Sequence, residues 1–286
     1  ARRQRQMCIR DRAYEPGHIA VGNGAKHVIY NAFAATLNEG DEVIVPAPYW
    51  VSYPDMVALH GGTPVVVPCS AAEGFKLTPR ALEAAIGERT RWLVLNTPNN
   101  PTGAVYTRDE LAALGAVLER HPRVWLMTDE IYEHFVYGGA THVSPLNVMP
   151  GLAERTLVIN GVSKAYAMTG WRIGYGAGPA PLIKAITMLL SQSTSCPGAM
   201  SQAAAAIALD GPQHTVAEAA ALPPVAPAAP VSVAQEPLFA DLVARSGALK
   251  TIVDAWAASG EADKAGFFTG AAYGAFKTQA ADLAQR

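Results

Sequence analysis

Short apolar runs alternate with longer amphipathic runs through most of this 286-residue chain, and this alternation restricts the fold more than any other feature. The apolar runs are rich in Val, Ile and Leu and have no polar face, which is typical of strands covered on both sides of a parallel sheet. We predict strands at residues 42–45, 64–67, 92–96, 124–128, 156–160 and 173–177. The strand-then-helix order predicts an α/β fold, a doubly wound, mostly parallel sheet flanked by helices.

The amphipathic runs predict helices at residues 26–38, 49–60, 79–86, 108–120, 179–191 and 198–209. Two of them have recognisable N-caps. Thr78 precedes a proline at the first helical position, and Thr107 stands three residues before Glu110, the spacing of a capping box. Because ligands of such sheets bind beyond the carboxyl ends of the strands, polar residues that follow a predicted strand are the first candidates for a site.

The chain divides into three zones of different composition. Residues 1–12 contain five arginines and little to bury, and we expect an Arg-rich leader that is disordered or foreign to the rest. Residues 13–212 carry the α/β pattern. Residues 213–286 read as a Pro/Ala linker followed by an Ala-rich tail of unknown role. Apolar residues at helical spacing in 237–258 and 262–286 predict a helical pair there, with a poorly ordered extension as the alternative.

Charge and cysteine content exclude several classes of protein. The formal net charge of −2 gives no general attraction to nucleic acid or to an anionic membrane. The longest apolar stretch falls short of the roughly 20 residues that span a bilayer. Cys8, Cys69 and Cys196 are widely spaced and form neither a metal-binding pair nor a disulfide framework. We therefore predict a cytoplasmic protein without a bound metal.

Lys164 and Arg172 are the most informative polar residues. Lys164 follows the predicted strand at 156–160, and Arg172 stands eight positions further on. A lysine just past a strand end can reach a carbonyl held above the sheet, and an arginine can bind a phosphate through two parallel hydrogen bonds. A carbonyl and a phosphate on one molecule describe pyridoxal phosphate, which binds covalently to lysine.

Two further polar residues follow the predicted strand at 124–128. The carboxylate of Asp129 can keep a pyridine nitrogen protonated, although an N-cap or a surface role is equally open. Tyr132 can donate a hydrogen bond to a phenolic oxygen, although a tyrosine in such a place often only packs. Asn100 lies in a turn-rich loop after the strand at 92–96, and composition alone does not decide where its amide points.

Two segments near the start of predicted helices offer contacts for an anion and for a ring. Gly24, Ala25 and Lys26 open the helix at 26–38, where small residues and free N–H groups favour a phosphate. Such Gly-rich turns are common, so this signal alone is weak. Trp50 follows the strand at 42–45 and can stack on a planar ring, although a core role is the simpler alternative.

Together these residues stand in segments that match a known family. Residues 48–53 read Pro-Tyr-Trp-Val-Ser-Tyr, 99–103 read Asn-Asn-Pro-Thr-Gly, 129–133 read Asp-Glu-Ile-Tyr-Glu, and 163–175 read Ser-Lys-Ala-Tyr-Ala-Met-Thr-Gly-Trp-Arg-Ile-Gly-Tyr. The segments stand in family order. From about residue 20 to residue 211 the chain resembles the class I aminotransferases of the aspartate aminotransferase family, whose large domain has fold type I of the pyridoxal-phosphate enzymes.

The resemblance implies pyridoxal 5'-phosphate as cofactor and assigns catalytic roles to three residues. Lys164 would bind the cofactor aldehyde covalently and later move a proton to and from the substrate. Asp129 would pair with the ring nitrogen. Tyr132 would donate a hydrogen bond to the phenolic oxygen of the ring.

The resemblance also implies the remaining contacts to the cofactor. Asn100 would share the phenolic oxygen with the tyrosine, and Trp50 would stack on the ring. The phosphate would be bound by Gly24, Ala25 and Lys26 at the helix start and by Arg172.

By this resemblance the protein is an aminotransferase that acts in amino-acid metabolism and biosynthesis. It would move an amino group between an aspartate-type or aromatic amino acid and a 2-oxo acid, as a homodimer. The family's N-terminal arm has no match here, and neither does its C-terminal small domain with the arginine that binds the substrate carboxylate. We therefore expect cofactor binding with weak or no transamination. A pyridoxal-phosphate-dependent lyase, or a non-catalytic fragment that only binds the cofactor, remain the alternatives.

Overall fold

The computed structural model describes the backbone of residues 8–9 and 12–13 and all atoms of residues 14–221. The chain divides into two units, Ala1–Leu222 and Pro223–Arg286. The second unit, with the predicted helical pair of the tail, lies outside the described residues, as does most of the predicted leader. Near the N-terminus the short strands β1 (Cys8–Ile9) and β2 (Arg12–Ala13) pair antiparallel.

A mixed, mostly parallel sheet forms the centre of the first unit, and it confirms the predicted fold class. Its strands lie in the order β3-β9-β8-β7-β6-β4-β5. The strands are β3 (Ile19–Asn23), β4 (Glu42–Ala47), β5 (Thr63–Pro68), β6 (Thr90–Asn96), β7 (Trp125–Asp129), β8 (Thr156–Gly161) and β9 (Ile173–Ala177). Strands β4 to β8 pair parallel, and β9 runs antiparallel to both β8 and β3.

Strand β3 is absent from the predicted set, and its position matters for the site. Because β9 is antiparallel to both of its neighbours, β3 runs parallel to β8. Asn23 at the end of β3 pairs with Ile173 at the start of β9. The end of β3 and the beginning of β9 therefore lie at the same edge of the sheet as the carboxyl ends of the parallel strands.

The helices cover both faces of the sheet. They are α1 (Ala25–Thr36), α2 (Ser52–Leu59), α3 (Pro79–Ala85), α4 (Arg108–Arg120), α5 (Pro145–Val148), α6 (Ala180–Ser193), α7 (Ala199–Asp210) and α8 (His214–Ala221). Both predicted N-caps are confirmed: Thr78 accepts a hydrogen bond from Ala81 N, and Thr107 and Glu110 form a capping box. Helix α2 begins at Ser52 and leaves Trp50 in the loop before it.

Alternation of side chains along the strands builds two hydrophobic layers. Val43, Val94 and Met127 face the layer that contains α1 and α6. Ile44 and Leu93 face the opposite layer, which contains α3 and α4. A sheet covered on both faces explains why its strands lack a polar face. Among the described residues, no helix combines the length and the hydropathy that a bilayer crossing demands.

Candidate functional site

An open cleft with a cavity volume of about 170 Å³ lies at the carboxyl edge of the sheet. Every predicted site residue except Gly24 lines it, and Gly24 lies next to it against Arg172. The sheet topology explains this convergence, because each of these residues ends or follows β3, β4, β6, β7 or β8 or directly precedes β9. The lining consists of Ala25, Lys26, Trp50, Tyr53, Asn96, Asn100, Asp129, Ile131, Tyr132, Ser163, Lys164, Thr169 and Arg172.

Asp129, the last residue of β7, forms the acidic floor of the cleft and is 4% exposed. Its Oδ2 accepts a hydrogen bond from Tyr53 Oη at 2.7 Å, and its Oδ1 accepts one from Ile131 N at 3.3 Å. Burial raises the pKa of Asp129 to about 6, although the bond from Tyr53 opposes this effect. A buried carboxylate of this kind gains most when a cationic N–H group becomes its partner.

Lys164 and Tyr132 lie on one side of the cleft. Lys164 Nζ is 5.4 Å from the centre of the Tyr132 ring. The turn that begins at Lys164 is closed by a hydrogen bond from Ala167 N to Lys164 O at 3.1 Å, and Ala167 has a left-handed φ of 52°. The amine is therefore held above the end of β8 by a tight turn and has no side-chain carboxylate as an ion-pair partner among the described residues.

Trp50 brings a flat aromatic ring to the cleft. Its ring packs edge-to-face on Tyr53, with centroids 5.2 Å apart and planes at 89°. Lys26 Nζ lies 4.8 Å from the centre of the Trp50 ring, within range of a cation–π interaction. Since Tyr53 also binds Asp129, the indole and the carboxylate are fixed relative to each other through one tyrosine.

Arg172 and the start of α1 form an anion-binding corner. Arg172 Nη1 donates to Thr169 O at 2.9 Å, and Nη2 lies 3.4 Å from Asn23 O. Gly24 caps α1 with φ +87°, a backbone conformation that favours glycine. A Cβ at Gly24 would overlap Arg172 Nη2. The first N–H groups of a helix have no partner within the helix, so they and the guanidinium present donors to one small space.

A glycine on β9 sets the position of that corner. A Cβ at Gly174 would overlap the backbone N and Cα of Ala25, the first residue of α1. The helix start can therefore approach β9 closely only because position 174 has no side chain. This contact places the N-terminus of α1 beside Arg172, which directly precedes β9.

The asparagines after β6 support the acidic floor. Asn96 Nδ2 donates to Asp129 O at 2.9 Å, and Asn96 Oδ1 accepts from Asn100 N at 2.7 Å. Asn100 lines the cleft. Asn96 thus connects the loop that carries Asn100 to the end of β7.

The sequence did not indicate five residues that line the cleft, which are Tyr53, Asn96, Ile131, Ser163 and Thr169, and Tyr53 is the one whose side chain donates a hydrogen bond to the carboxylate of Asp129. It lies in α2 and is 2% exposed, and an aromatic residue at the start of an apolar helix is normally a core residue. Tyr53 stands three residues after Trp50, and residues three apart lie on the same side of a helical turn. This spacing was the one sequence feature that could have placed Tyr53 beside the predicted ring contact. The bond from Tyr53 to Asp129 joins residues 76 positions apart, which no local pattern reveals.

The cleft therefore offers an amine, a buried carboxylate, an indole ring and an anion-binding corner around one space. These groups suit a planar aromatic cation that carries a carbonyl and a phosphate, since each part of such a molecule would find a complementary partner. Ser163 and Thr169 add hydroxyl groups to the same wall. The residues present fit such a ligand.

Comparison with known proteins finds similar sequences over most of the chain. Residues 10–222 match the family model described as aminotransferase class I and II. Over 204 residues the chain is 60% identical to the aspartate/prephenate aminotransferase of Cereibacter sphaeroides, covering 71% of this chain and 51% of that protein. Over 206 residues it is 55% identical to the aspartate aminotransferase of Rhizobium meliloti, covering 72% and 50%.

Solved structures show the same relationship. The crystal structure of the aspartate aminotransferase from Rhizobium meliloti superposes with a TM-score of 0.73 at 46% identity, covering 89% of this chain and 58% of that one. The Thermus thermophilus aspartate aminotransferase with maleate gives a TM-score of 0.68 at 40% identity, covering 86% and 59%. The chain thus spans about half the length of the curated relatives it matches.

Proposed function

The chain belongs to the class I and II aminotransferases, and from this premise we propose that it binds pyridoxal 5'-phosphate in the cleft at the carboxyl edge of the sheet. The observation that carries the proposal is the arrangement of Lys164, Asp129 and Arg172 around one space, which would suit a small planar molecule. The whole protein would be an aminotransferase that moves an amino group between an amino acid and a 2-oxo acid.

The proposal gives each residue of the cleft a defined task. When bound, pyridoxal phosphate supplies a carbonyl that condenses with amines and a ring that withdraws electrons. Lys164 Nζ would hold that carbonyl and, once released, accept and return the proton of the substrate α-carbon. Asp129 would keep a proton on the ring nitrogen, because a cation beside it relieves the cost of its buried charge.

The other groups would orient the ring. Trp50 would stack on its face, and Tyr132 and Asn100 would hydrogen-bond its phenolic oxygen. Arg172 with Gly24, Ala25 and Lys26 would bind the phosphate, which fixes the distance between Lys164 and the reacting carbon. Fixed orientation of this kind contributes a large part of a typical enzymatic rate enhancement.

Titration of the purified chain with pyridoxal phosphate tests the cofactor proposal. We expect a visible absorbance band that saturates at one cofactor per chain, and borohydride reduction should fix the cofactor on the peptide that contains Lys164. Lys164→Ala should lose both signals, while Lys184→Ala, a change of an exposed lysine on α6, should keep them. An adduct of equal yield in Lys164→Ala would refute the assignment.

The relatives' names suggest the substrates. They are called aspartate and aspartate/prephenate aminotransferases, so we propose aspartate as an amino donor of the whole protein. Incubation of the loaded whole protein with aspartate and a 2-oxo acid should yield oxaloacetate and the new amino acid. Release of ammonia without a new amino acid would favour a lyase instead. A reducible Lys164 with no product from any amino acid would favour a chain that only binds the cofactor.

We further propose a homodimer that works in the cytoplasm. Val51 and Trp171, which adjoin cleft residues in sequence, are 72% and 47% exposed, and exposed apolar side chains beside a site favour burial against a partner. Cys69 and Cys196 are free, which suits a reducing compartment. Sedimentation velocity at micromolar concentration should give a dimer, and a monodisperse monomer would contradict that part of the proposal.

A further inference from the structure

A second polar cluster lies directly behind the cleft. Glu130 follows Asp129 and points to the opposite side of the sheet, as successive residues of an extended chain do. Its carboxylate is fully buried and accepts hydrogen bonds from Thr128 Oγ1 at 3.1 Å and Ser144 Oγ at 2.8 Å. His142 Nε2 lies 3.0 Å from its other oxygen, and the imidazole side chain is 1% exposed. We call Thr128, Glu130, His142 and Ser144 the Glu130 clamp.

The Glu130 clamp closes the segment that carries Tyr132. This segment leaves β7 at Glu130 and returns to the buried layer at His142 and Ser144. Within it, Glu133 N donates to Glu130 O at 2.9 Å and Phe135 N donates to Tyr132 O at 2.8 Å, so Tyr132 lies in a turn that starts at Glu130. Much of the segment between is exposed, so the two buried ends hold its position.

A metal ion is the other occupant that this cluster could suit. Ligand atoms of Glu130, Glu133 and His142 lie within 4.8 Å of one another. However, the oxygens of Glu130 are already contacted by three side chains, and Asn160 Nδ2 donates to Glu133 Oε1 at 3.0 Å. A carboxylate whose lone pairs are used in this way needs no metal to be satisfied in the interior.

We propose that Glu130, held by His142 and Ser144, is a positioning residue that fixes the turn carrying Tyr132 over the cleft. Its effect on the cofactor rests on the proposed function, whereas its effect on the turn does not. Glu130 makes its contacts away from the cleft and acts through the backbone that it shares with Asp129 and Tyr132. Glu130→Gln keeps the shape but replaces an acceptor oxygen by an N–H donor, which faces the donors of the clamp.

Hydrogen exchange of the full chain without cofactor tests the clamp itself. In Glu130→Gln and in Ser144→Ala, we expect the amides of Glu133 and Phe135 to exchange about tenfold faster or more, since each lost charge-assisted bond is worth that factor. The amides of α4 (Arg108–Arg120) should keep their rates. Glu154→Gln, a change of an exposed carboxylate, is the control and should leave all rates unchanged. Unchanged exchange at the turn, or a uniform rise across the unit, would overturn the proposal.

Cofactor binding is the second readout. Glu130→Gln should raise the Kd for pyridoxal phosphate about tenfold and shift the pH midpoint of the bound cofactor's absorbance, while Lys164 stays reducible. A turn that exchanges faster with an unchanged midpoint and Kd would mean that the clamp stabilises the fold only, which overturns its positioning role. A wild-type chain that takes up no cofactor would refute the proposed function instead, and the exchange rates would then decide on the clamp.

The metal alternative has its own outcome. Zn²⁺ added to the dialysed wild-type chain should leave its Tm unchanged if the clamp is made of hydrogen bonds. A rise in Tm with Zn²⁺ that is lost in Glu130→Gln would show that the carboxylate is free to bind a metal. That result would overturn the clamp.

Discussion

Tyr53 Oη donates a 2.7 Å hydrogen bond to Asp129 Oδ2, and this bond joins α2 to the end of β7 in the interior. Burial is the largest effect on both groups: it raises the pKa of Asp129 to about 6 and, together with the nearby carboxylate, raises the pKa of Tyr53 well above its ordinary value. The tyrosine therefore stays protonated and remains a donor. The hydroxyl is the main side-chain support that the charged form of Asp129 has within the fold.

Tyr53→Phe should weaken pyridoxal-phosphate binding about tenfold, because an unsupported buried carboxylate loses on the order of 1–3 kcal/mol in its charged form. Absorbance titration at neutral pH measures the change in Kd. Tyr49→Phe is the matched control, since Tyr49 is a partly buried tyrosine in the loop before α2 that packs against the same core. If both variants bind the cofactor equally well, the Tyr53 hydrogen bond does not support the charged carboxylate.

Asp129→Asn should stabilise the unloaded chain at pH 7.5 relative to the wild type. Folding raises the pKa of Asp129 from its ordinary value to about 6. At a pH between these two values, the folded chain therefore keeps a proton on Asp129 that the unfolded chain has released. The contribution of protonated Asp129 to stability is therefore full at a pH below the ordinary pKa of aspartate, and it is lost as the pH rises through about 6. Because one pKa unit is worth about 1.4 kcal/mol, the effect is on the order of 3 kcal/mol.

Thermal unfolding of both chains at pH 4 and pH 7.5 measures this difference. The Tm of Asp129→Asn minus that of the wild type should increase with pH. Asp41→Asn is a control of opposite sign: burial raises the pKa of Asp41, but bonds from Asn38 and Arg91 outweigh this and hold its pKa below the ordinary value. Its removal should destabilise the chain at pH 7.5 and matter less in acid. A flat pH profile for Asp129→Asn would contradict the prediction.

Gly24→Ala should weaken binding of the phosphorylated cofactor selectively. The new methyl would overlap Arg172 Nη2 and would also sit at φ +87°, so the guanidinium must leave the corner. Loss of a bidentate phosphate contact should raise the Kd for pyridoxal phosphate about tenfold or more. Pyridoxal, which lacks the phosphate, should bind within about twofold of its wild-type affinity.

The measurement is the ratio of the Kd for pyridoxal phosphate to the Kd for pyridoxal. A general distortion of the cleft would change both Kd values and leave their ratio the same. Gly17→Ala is the control, since a Cβ there would meet nothing within 4 Å. Equal losses of affinity for pyridoxal and pyridoxal phosphate in Gly24→Ala would place the phosphate elsewhere.

Most of the fold follows from the alternation of apolar and amphipathic runs, and the exception is instructive. The strand at Thr90–Asn96 shows one exposed side chain, at Arg91, and its apolar run is evident from sequence. In contrast, β3 has only Ile19, Ala20 and Val21 before Gly22, too little apolar sequence to indicate a strand. Its partner β9 lies about 150 residues away and contains two glycines. Strand β3 is therefore formed by pairing with β9 rather than by the strand propensity of its own residues.

The residues of the candidate site also include some that the sequence could predict and some that it could not. Residues at or just beyond the end of a strand, such as Asp129 and Lys164, could be predicted because the fold class fixes where strand ends meet. Tyr53 could not, because a buried tyrosine in a helix differs from a core residue only by a partner far away in sequence. Likewise Glu130 belonged to the Asp-Glu-Ile-Tyr-Glu segment, yet its partners His142 and Ser144 come from a loop whose path no local pattern encodes.

Gly174→Ala should destabilise the fold and the phosphate corner together. The added methyl would overlap the backbone of Ala25, and because backbone atoms cannot rotate away, α1 must move off β9. We expect a loss of about 2–3 kcal/mol of stability, or about 5–10 °C in Tm, and weaker binding of pyridoxal phosphate because the helix N-terminus shifts. Gly170→Ala, in the loop just before β9, is the matched control, since a Cβ there would meet nothing within 4 Å. If the two variants unfold at the same temperature, the close approach of α1 to β9 does not depend on the missing side chain.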